Sequence, residues 1–248
     1  EGCGYGGDTM HQWLQRTYRG YTTHPNVAAA LLLEHGCEKI PNDAMRRHFE
    51  TSGLHPERFG WASVQLDGGI AKSMANVESW FARAGAALPA AARIATDPGG
   101  LNVGLLSATP PSAASAAVFA GVAQAILARG GTVLLPEGDP LLASQVFRAA
   151  VLGSIAPHAS LAYGQPPATR GLHVVATETD HWVENLTGLG GCGAHVFVGL
   201  TGNTPQQGHP LLPVMQVAES GALPPGATQD VDMILTGQPA ADEAELLG

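Results

Sequence analysis

The sequence is poor in charged and aromatic residues. Charged residues make up 13% of its 248 positions, aromatic residues make up 6%, and only 12 residues are Lys or Arg. The formal net charge of −9 argues against a nucleic-acid partner, because binding to phosphates requires clustered basic side chains. Apolar runs of the roughly 18 residues that cross a bilayer are also missing, so we expect no membrane partner.

Cysteine is scarce as well. Three cysteines are an odd number without the spacing of a disulfide framework, which predicts a reducing compartment and hence a cytoplasmic location. The chain opens on Glu1-Gly2-Cys3-Gly4, with neither an initiator Met nor a signal peptide. We therefore expect it to be a fragment of a longer protein, whose missing amino-terminal part would be one of its partners.

Small residues and turn formers are abundant instead. Gly occurs 32 times and Pro 18 times, while 45% of the residues are hydrophobic. A disordered chain would combine low hydrophobicity with high charge, so this composition predicts a compact fold with many turns. Short apolar runs alternate with helical patterns, which predicts an α/β fold of mainly parallel sheets flanked by helices.

We predict two Rossmann-like subdomains. Residues 1–84 form the first, residues 85–100 a linker, residues 101–237 the second, and residues 238–248 a frayed acidic tail. Residues 27–33 and 59–66 should be buried parallel neighbours, because both are apolar runs followed by a helix. Further strands are expected at 101–106, 132–135, 173–176, 194–200, 214–218 and 233–235, and helices at 9–20, 42–51, 74–81, 112–128, 140–151 and 180–186.

All three cysteines lie beside glycine, in bends rather than in apolar runs. Cys3, Cys37 and Cys192 would then sit where the backbone can approach a ligand closely. Thiolates in such turns, with His35 and Glu38 beside one of them, favour metal coordination or a reactive site. The alternative is that they are three free thiols in turns that require glycine.

Polar residues follow two of the predicted strands. His35, Cys37 and Glu38 come after the first strand, and Asp67 comes after the second. Ligands of parallel sheets bind beyond the carboxyl ends of the strands, and Cys3 would join this edge if a strand preceded it. Thiolate, imidazole and carboxylate suit a divalent metal, while His35, Glu38 or Asp67 could remove a proton next to a carboxylate. The alternative is that His35 and Glu38 only bond to the turn.

A glycine loop leads into the next helix. Asp67-Gly68-Gly69 precedes Lys72 without the glycine directly before the lysine that a nucleoside triphosphate site requires. Gly68 and Gly69 at a helix N-terminus, with Lys72, could seat a substrate carboxylate. A tight turn with a solvated lysine explains the same residues.

Two polar segments occur later in the chain. Thr201, Asn203 and His209 follow a predicted strand and could contact substrate hydroxyls or carboxylates. Asp180 and Glu184 open a predicted helix, where capping by Asp180 is the favoured explanation.

Several segments resemble one enzyme family. Glu1-Gly2-Cys3-Gly4, His24-Pro25-Asn26-Val27, the run Leu31-Leu32-Leu33-Glu34-His35-Gly36-Cys37-Glu38 and Gln65-Leu66-Asp67-Gly68-Gly69 are similar to the catalytic, carboxy-terminal region of the altronate/galactarate dehydratases. Thr201-Gly202-Asn203-Thr204, Pro213-Val214-Met215-Gln216-Val217 and Asp232-Met233 resemble the closing segment of that family.

The resemblance implies a hydro-lyase. Members of this family use a divalent metal, usually iron, to remove water from a sugar acid and give a 2-keto-3-deoxy acid. For this chain it implies Fe²⁺ (or Mn²⁺) and a sugar acid such as altronate or galactarate as the small-molecule partner. We expect four metal ligands: Cys3, His35 and Cys37, which lie in segments that match the family, and Cys192, which rests on its glycine turn alone. A homo-oligomer is a separate expectation that the resemblance does not carry.

Two departures support an alternative. Residues 107–111 contain no acid where the dehydratases have one, and Asn203 stands where the family pattern has an arginine. An arginine at that position would suit a sugar-acid carboxylate. The alternative hypothesis is therefore a catalytically inactive ligand-binding or assembly domain derived from the same family.

Overall fold

The computed structural model describes residues 6–89, 95, 97–153, 157–158 and 160–248. The chain forms two compact units, Glu1–Ile94 and Ala95–Gly248. The predicted α/β class is confirmed, since parallel sheets flanked by helices make up the described part of the chain.

The first unit contains a small parallel sheet. Strands β1 (Leu31–Glu34) and β2 (Gly60–Ser63) pair from Leu31 opposite Gly60 to Glu34 opposite Ser63. Its helices are α1 (Asp8–Thr22), α2 (Asn42–Thr51) and α3 (Ile70–Ala87), with a short 3-10 turn at Pro56–Arg58.

An aromatic cluster holds α2 against this sheet. Met45 and Phe49, one turn apart on α2, are buried together with Phe59. The Phe49 ring lies 4.8 Å from the Phe59 ring and 5.7 Å from the Trp61 ring, measured between centroids. This packing fixes Trp61 of β2 beneath α2.

The first two predicted strands are parallel neighbours, as expected, but they are shorter than predicted. The first begins at Leu31 rather than Val27, and the second ends at Ser63 rather than Leu66. Leu33 is 57% exposed and Leu66 is 84% exposed, so the two runs are not fully buried. The apolar pattern could not show that this sheet has only two strands among the described residues.

The second unit has a parallel sheet of seven strands among its described residues. The strands are β3 (Asn102–Ser107), β4 (Thr132–Pro136), β5 (Leu161–Ala162), β6 (Gly171–Ala176), β7 (Val196–Leu200), β8 (Val214–Glu219) and β9 (Met233–Leu235). Their order in the sheet is β5-β6-β4-β3-β7-β8-β9. Strands after β3 are added first on one side of it and then, from β7 onward, on the other side. Doubly wound sheets bind ligands at the point where the strand order reverses in this way.

Helices flank this sheet. They are α4 (Ala113–Ala128), α5 (Pro140–Ala143), α6 (Gln145–Phe147), α7 (Trp182–Gly191) and α8 (Pro239–Leu247). Helix α4 packs against α6 and α8, and α7 packs against β3 and β4. The buried core includes Leu105 of β3, Phe119 of α4 and Val133 of β4.

The single helix predicted over residues 140–151 is broken in the structure. Ser144 adopts an extended conformation, with φ of −68° and ψ of 124°, and ends α5. Its Oγ accepts a hydrogen bond from the N–H of Phe147 at 3.4 Å and so begins α6. A π-helical turn, Arg148–Leu152, follows.

Two further predictions are corrected. Residues 239–247 form α8 instead of a frayed tail, because the carboxylate of Asp242 accepts hydrogen bonds from Thr236 and Gly237. The side chain of Asp180 does not cap α7. Instead, Thr179 Oγ1 accepts from the N–H of His181 at 3.1 Å and donates to Glu184 at 2.6 Å.

In the described parts of the chain, none of the helices has the length and apolar character needed to span a membrane.

Close packing within the larger sheet gives a first prediction. A Cβ added to Gly104 would lie 2.3 Å from the buried ring of Phe197, its partner in the β3–β7 ladder. Gly104→Ala should therefore lower the free energy of unfolding by about 1–3 kcal/mol, the usual cost of overpacking a core. Urea unfolding measures it, followed by fluorescence in a background with Trp13→Phe, Trp61→Phe and Trp80→Phe, so that Trp182 of the second unit alone reports. Gly138→Ala is the matched control, since no atom lies within 4 Å of that Cβ position. Equal stability of the two variants would contradict the prediction.

Candidate functional site

The loops that follow β1 and β2 lie side by side. The parallel ladder continues past both strands, with the N–H of Val64 donating to the carbonyl of Glu34 at 2.9 Å. The N–H of Gln65 then donates to the carbonyl of His35 at 3.1 Å. The structure thus joins the loop of residues 35–38 to the loop of residues 64–69.

Glu38 holds the first of these loops in shape. Its Oε1 accepts from the N–H of His35 at 2.6 Å, and its Oε2 accepts from the N–H of Gly36 at 2.8 Å. Burial alone would raise the pKa of Glu38, but hydrogen bonds from Gly36 and His35 outweigh it, and the pKa lies below its ordinary value. Gly36 has a φ of +122°, a conformation that favours glycine.

The loop also brings together two of the predicted metal ligands. Cys37 Sγ lies 3.5 Å from His35 Nδ1, and both residues are exposed. Among the described residues, no three His, Cys, Asp or Glu side chains are grouped so that they could hold a metal ion. Cys3, predicted as a further ligand, lies outside the described residues.

Cys192, the fourth predicted ligand, lies in the second unit. It follows α7 and is fully buried. Its Sγ lies 4.0 Å from the carbonyl oxygen of Ala162.

The glycine loop shapes the start of α3. Asp67 Oδ2 accepts from the N–H of Ser63 at 3.2 Å, which draws the loop back onto β2. Gly68 and Gly69 then have φ of +86° and +108°, and Gly69 directly precedes α3. The side chain of Lys72 folds back over this turn. Its Nζ lies 3.3 Å from the position that a Cβ on Gly68 would occupy.

A cleft of about 350 Å³ opens beside the two loops. Gly36, Gln65 and Asp67 line it from the loops, and Arg46 and Trp61 line it from α2 and β2. Three carboxylates border the cleft, those of Glu34, Asp43 and Asp67.

Glu34 and Asn42 were not predicted as site residues. Glu34 is 7% exposed, and its Oε2 accepts from the N–H of Asn42 at 2.5 Å, at the start of α2. Asn42 Nδ2 donates in turn to the carbonyl of Ala62 at 2.9 Å. The sequence signal that could have indicated Glu34 is its position as a charged residue at the end of an apolar strand.

Arg46 was also missed by the sequence analysis. Its guanidinium carbon lies 4.4 Å from the centroid of the Trp61 ring, a cation–π contact. On α2, Arg46 is four residues after Asn42 and therefore lies on the same face of the helix. Arg46 and Trp61 are 15 residues apart in sequence, so no local motif could reveal the pair.

The remaining predicted substrate ligands lie in the second unit. Thr201 is 1% exposed and donates through Oγ1 to the carbonyl of Val217 at 3.2 Å. His209 Nδ1 accepts from the N–H of Leu211 at 3.1 Å, and Asn203 is exposed. Their proposed contacts with substrate stay predictions.

A buried acid ties two strand ends of the second unit together. Asp139, 5% exposed, accepts from the N–H of Ser107, the last residue of β3, and from the N–H of Leu141 in α5, both at 2.9 Å. Burial raises the pKa of Asp139 to about 7, although the hydrogen bonds from Leu141 and Ser107 act in the opposite direction.

Comparison with known proteins finds one family match, which lies in the first unit. Residues 1–87 match the family model described as D-galactarate dehydratase/altronate hydrolase, second domain. The match covers the 35–38 loop, the glycine loop and the cleft, and it confirms the resemblance of the first part of the chain. No curated protein matches the chain.

Asp139 gives a prediction for the pH dependence of stability. Its pKa is higher in the folded chain than the ordinary 3.8, so the folded state holds the proton more tightly. This stabilisation is complete below about pH 4 and is lost as the pH rises through about 7, by up to about 4 kcal/mol. Urea unfolding across this range, followed by fluorescence in the background that keeps Trp182 as its single tryptophan, measures the decline.

The matched variants separate Asp139 from the other acids. Asp139→Asn cannot ionise and should remove most of the pH dependence in this range. Asp230→Asn, at an exposed position, should leave it unchanged. The same decline in Asp139→Asn as in the unmodified chain would contradict the assignment.

Proposed function

We propose that the chain is the catalytic part of a metal-dependent dehydratase that converts a sugar acid to a 2-keto-3-deoxy acid. The observation that carries the proposal is the pair of donors His35 and Cys37, 3.5 Å apart in a loop beside the cleft, within a domain of the dehydratase family. We also propose a cytoplasmic location and a homo-oligomer, in keeping with the composition and the family.

The donor set suits Fe²⁺ better than a hard cation. Imidazole nitrogen and thiolate sulfur are ligands for borderline metals such as Fe²⁺ and Zn²⁺, whereas Mg²⁺ and Ca²⁺ prefer oxygen. His35 and Cys37 would supply two ligands, and Cys3 in the same family match would supply a third. A bound divalent metal would stabilise the negative charge that develops on the substrate carboxylate when the neighbouring carbon loses its proton.

Asp67 is the proposed acceptor of that proton. The N–H of Ser63 fixes its Oδ2, and within the described residues its Oδ1 makes no hydrogen bond. Asp67 lines the cleft, so this oxygen is available to a substrate bound there. Proton transfer to a positioned carboxylate of this kind supplies part of the rate acceleration of such enzymes.

Gly68, Gly69 and Lys72 are proposed to hold the reacting carboxylate. They follow Asp67 directly, and the N-terminus of α3 and the ammonium of Lys72 both favour an anion. Glu38 was predicted as a catalytic residue, but both of its carboxylate oxygens accept hydrogen bonds from backbone N–H groups of its own loop. In this proposal it positions His35 and Cys37.

The test is a panel of sugar acids. The anaerobically purified chain, loaded with Fe²⁺ or Mn²⁺, should form a 2-keto-3-deoxy acid from at least one aldonic or aldaric acid. His35→Ala should lower kcat/KM at least about 100-fold, since one protein ligand is lost, and should reduce the bound metal measured by elemental analysis.

The control is another exposed histidine. His55 Nδ1 lies 3.4 Å from Glu57 Oε1, both side chains are 74% exposed, and His55 does not line the cleft. His55→Ala should keep both activity and metal content. Absence of product from every acid, with iron or manganese bound, would favour the ligand-binding or assembly alternative.

A further inference from the structure

Arg46 lines the cleft and is stacked on an aromatic ring. The Trp61 ring beneath it is fixed by the hydrogen bond from its Nε1–H to the carbonyl of Pro56, at 2.9 Å. The centroid of the Phe49 ring lies 5.7 Å from the centroid of the Trp61 ring. A guanidinium stacked on an aromatic ring gives up little conformational freedom when it binds a ligand, because its plane is already oriented.

The hydrogen-bond donors of Arg46 have no acceptor within the part of the chain that the structure describes. Within the described residues, its guanidinium forms neither an ion pair nor a hydrogen bond, and its recorded contact is with the Trp61 ring. An arginine carries five N–H donors in a planar fork that matches a carboxylate. Among the described residues that line the cleft, Arg46 is the only cation.

Among the described residues, none of the neighbouring acids forms an ion pair with Arg46. Glu34 accepts the N–H of Asn42, and Asp67 accepts the N–H of Ser63. Asp43 lies in the first turn of α2, where a negative charge interacts favourably with the helix dipole. The guanidinium of Arg46 is therefore available to an incoming carboxylate, although the three acids that line the cleft keep their negative charge.

The spacing indicates which carboxylate Arg46 would meet. Trp61 and Ser63 lie on the same face of β2, two residues or about 7 Å apart along the strand. Asp67, the proposed proton acceptor, accepts from the backbone N–H of Ser63, while Arg46 contacts the Trp61 side chain, and both residues line the same cleft. In an extended six-carbon acid, five C–C bonds of about 1.5 Å separate the terminal carboxyl carbons by about 6 Å.

We propose that Arg46 binds the carboxylate at the non-reacting end of the substrate, so that the cleft selects hexaric acids, with a carboxylate at both ends, over hexonic acids. The inference rests on the proposed function for the position of the reacting end. A hexonic acid places a hydroxymethyl group against Arg46, which leaves the charged donors without an acceptor. Such an unpaired site is the usual basis of strong discrimination between substrates.

Galactarate and altronate are the probes, because each is a six-carbon acid and they differ in the number of carboxylates. The unmodified chain should bind galactarate more tightly and turn it over with the higher kcat/KM. Arg46→Gln should weaken galactarate binding and raise its KM about 10- to 100-fold, the range for a lost charge-assisted pair, and change altronate less than about threefold. Arg46→Lys, which keeps the charge and loses the fork, should fall between the two.

Arg47→Gln is the matched control. Arg47 is the next residue of α2, is exposed and does not line the cleft, so its loss should change neither acid. Circular dichroism of each variant checks the fold, and Arg46→Lys serves where Arg46→Gln does not fold. Preference of the unmodified chain for altronate, or equal losses for both acids in Arg46→Gln and in Arg46→Lys, would overturn the inference.

Binding measured by calorimetry separates this inference from the proposed function. Turnover of both acids without any effect of Arg46 would sink the inference alone. Selective, Arg46-dependent binding of galactarate by a chain that forms no keto acid would support the inference and sink the proposed function.

Discussion

The site of the first unit depends on one buried hydrogen-bonded connection. Glu34 at the end of β1 accepts the first N–H of α2 from Asn42, and Asn42 donates through its side chain to Ala62 of β2. A buried carboxylate without such a partner would be costly, so this connection strongly favours one placement of α2 over the strand pair. That placement brings Arg46 over Trp61, because Arg46 lies one turn beyond Asn42. The loops and the cleft are then built around a fixed frame of only two short strands.

Near the strand ends, several acidic side chains accept hydrogen bonds from backbone N–H groups. Glu38 accepts two N–H groups of its own loop, and Asp67 accepts that of Ser63. In the second unit, Asp139 does the same between Ser107 and Leu141. Parallel strands end with unpaired N–H groups in the loops beyond them, and a nearby carboxylate satisfies these groups locally. An acid at a strand end is therefore weak evidence for catalysis, and what distinguishes Asp67 is the oxygen that the loop leaves available.

The sequence predicted the α/β class and the positions of most strands, because apolar runs and helical spacing are local properties. It also predicted that the loops after the first two strands lie side by side, which follows from parallel pairing. It did not predict the break at Ser144, where a side chain competes with the helix for a backbone N–H. Helix α8 was missed because its stability depends on the contact of Asp242 with Thr236 and on packing against α4. Both failures concern residues whose conformation is decided by partners beyond the local pattern.

The contact between Arg46 and Trp61 could not be predicted from the local sequence either. His35 and Cys37 could be found from sequence because they are two residues apart, so one turn suffices to bring their side chains together. Arg46 and Trp61 belong to a helix and a strand, and their contact exists only once the Glu34–Asn42–Ala62 connection has positioned α2.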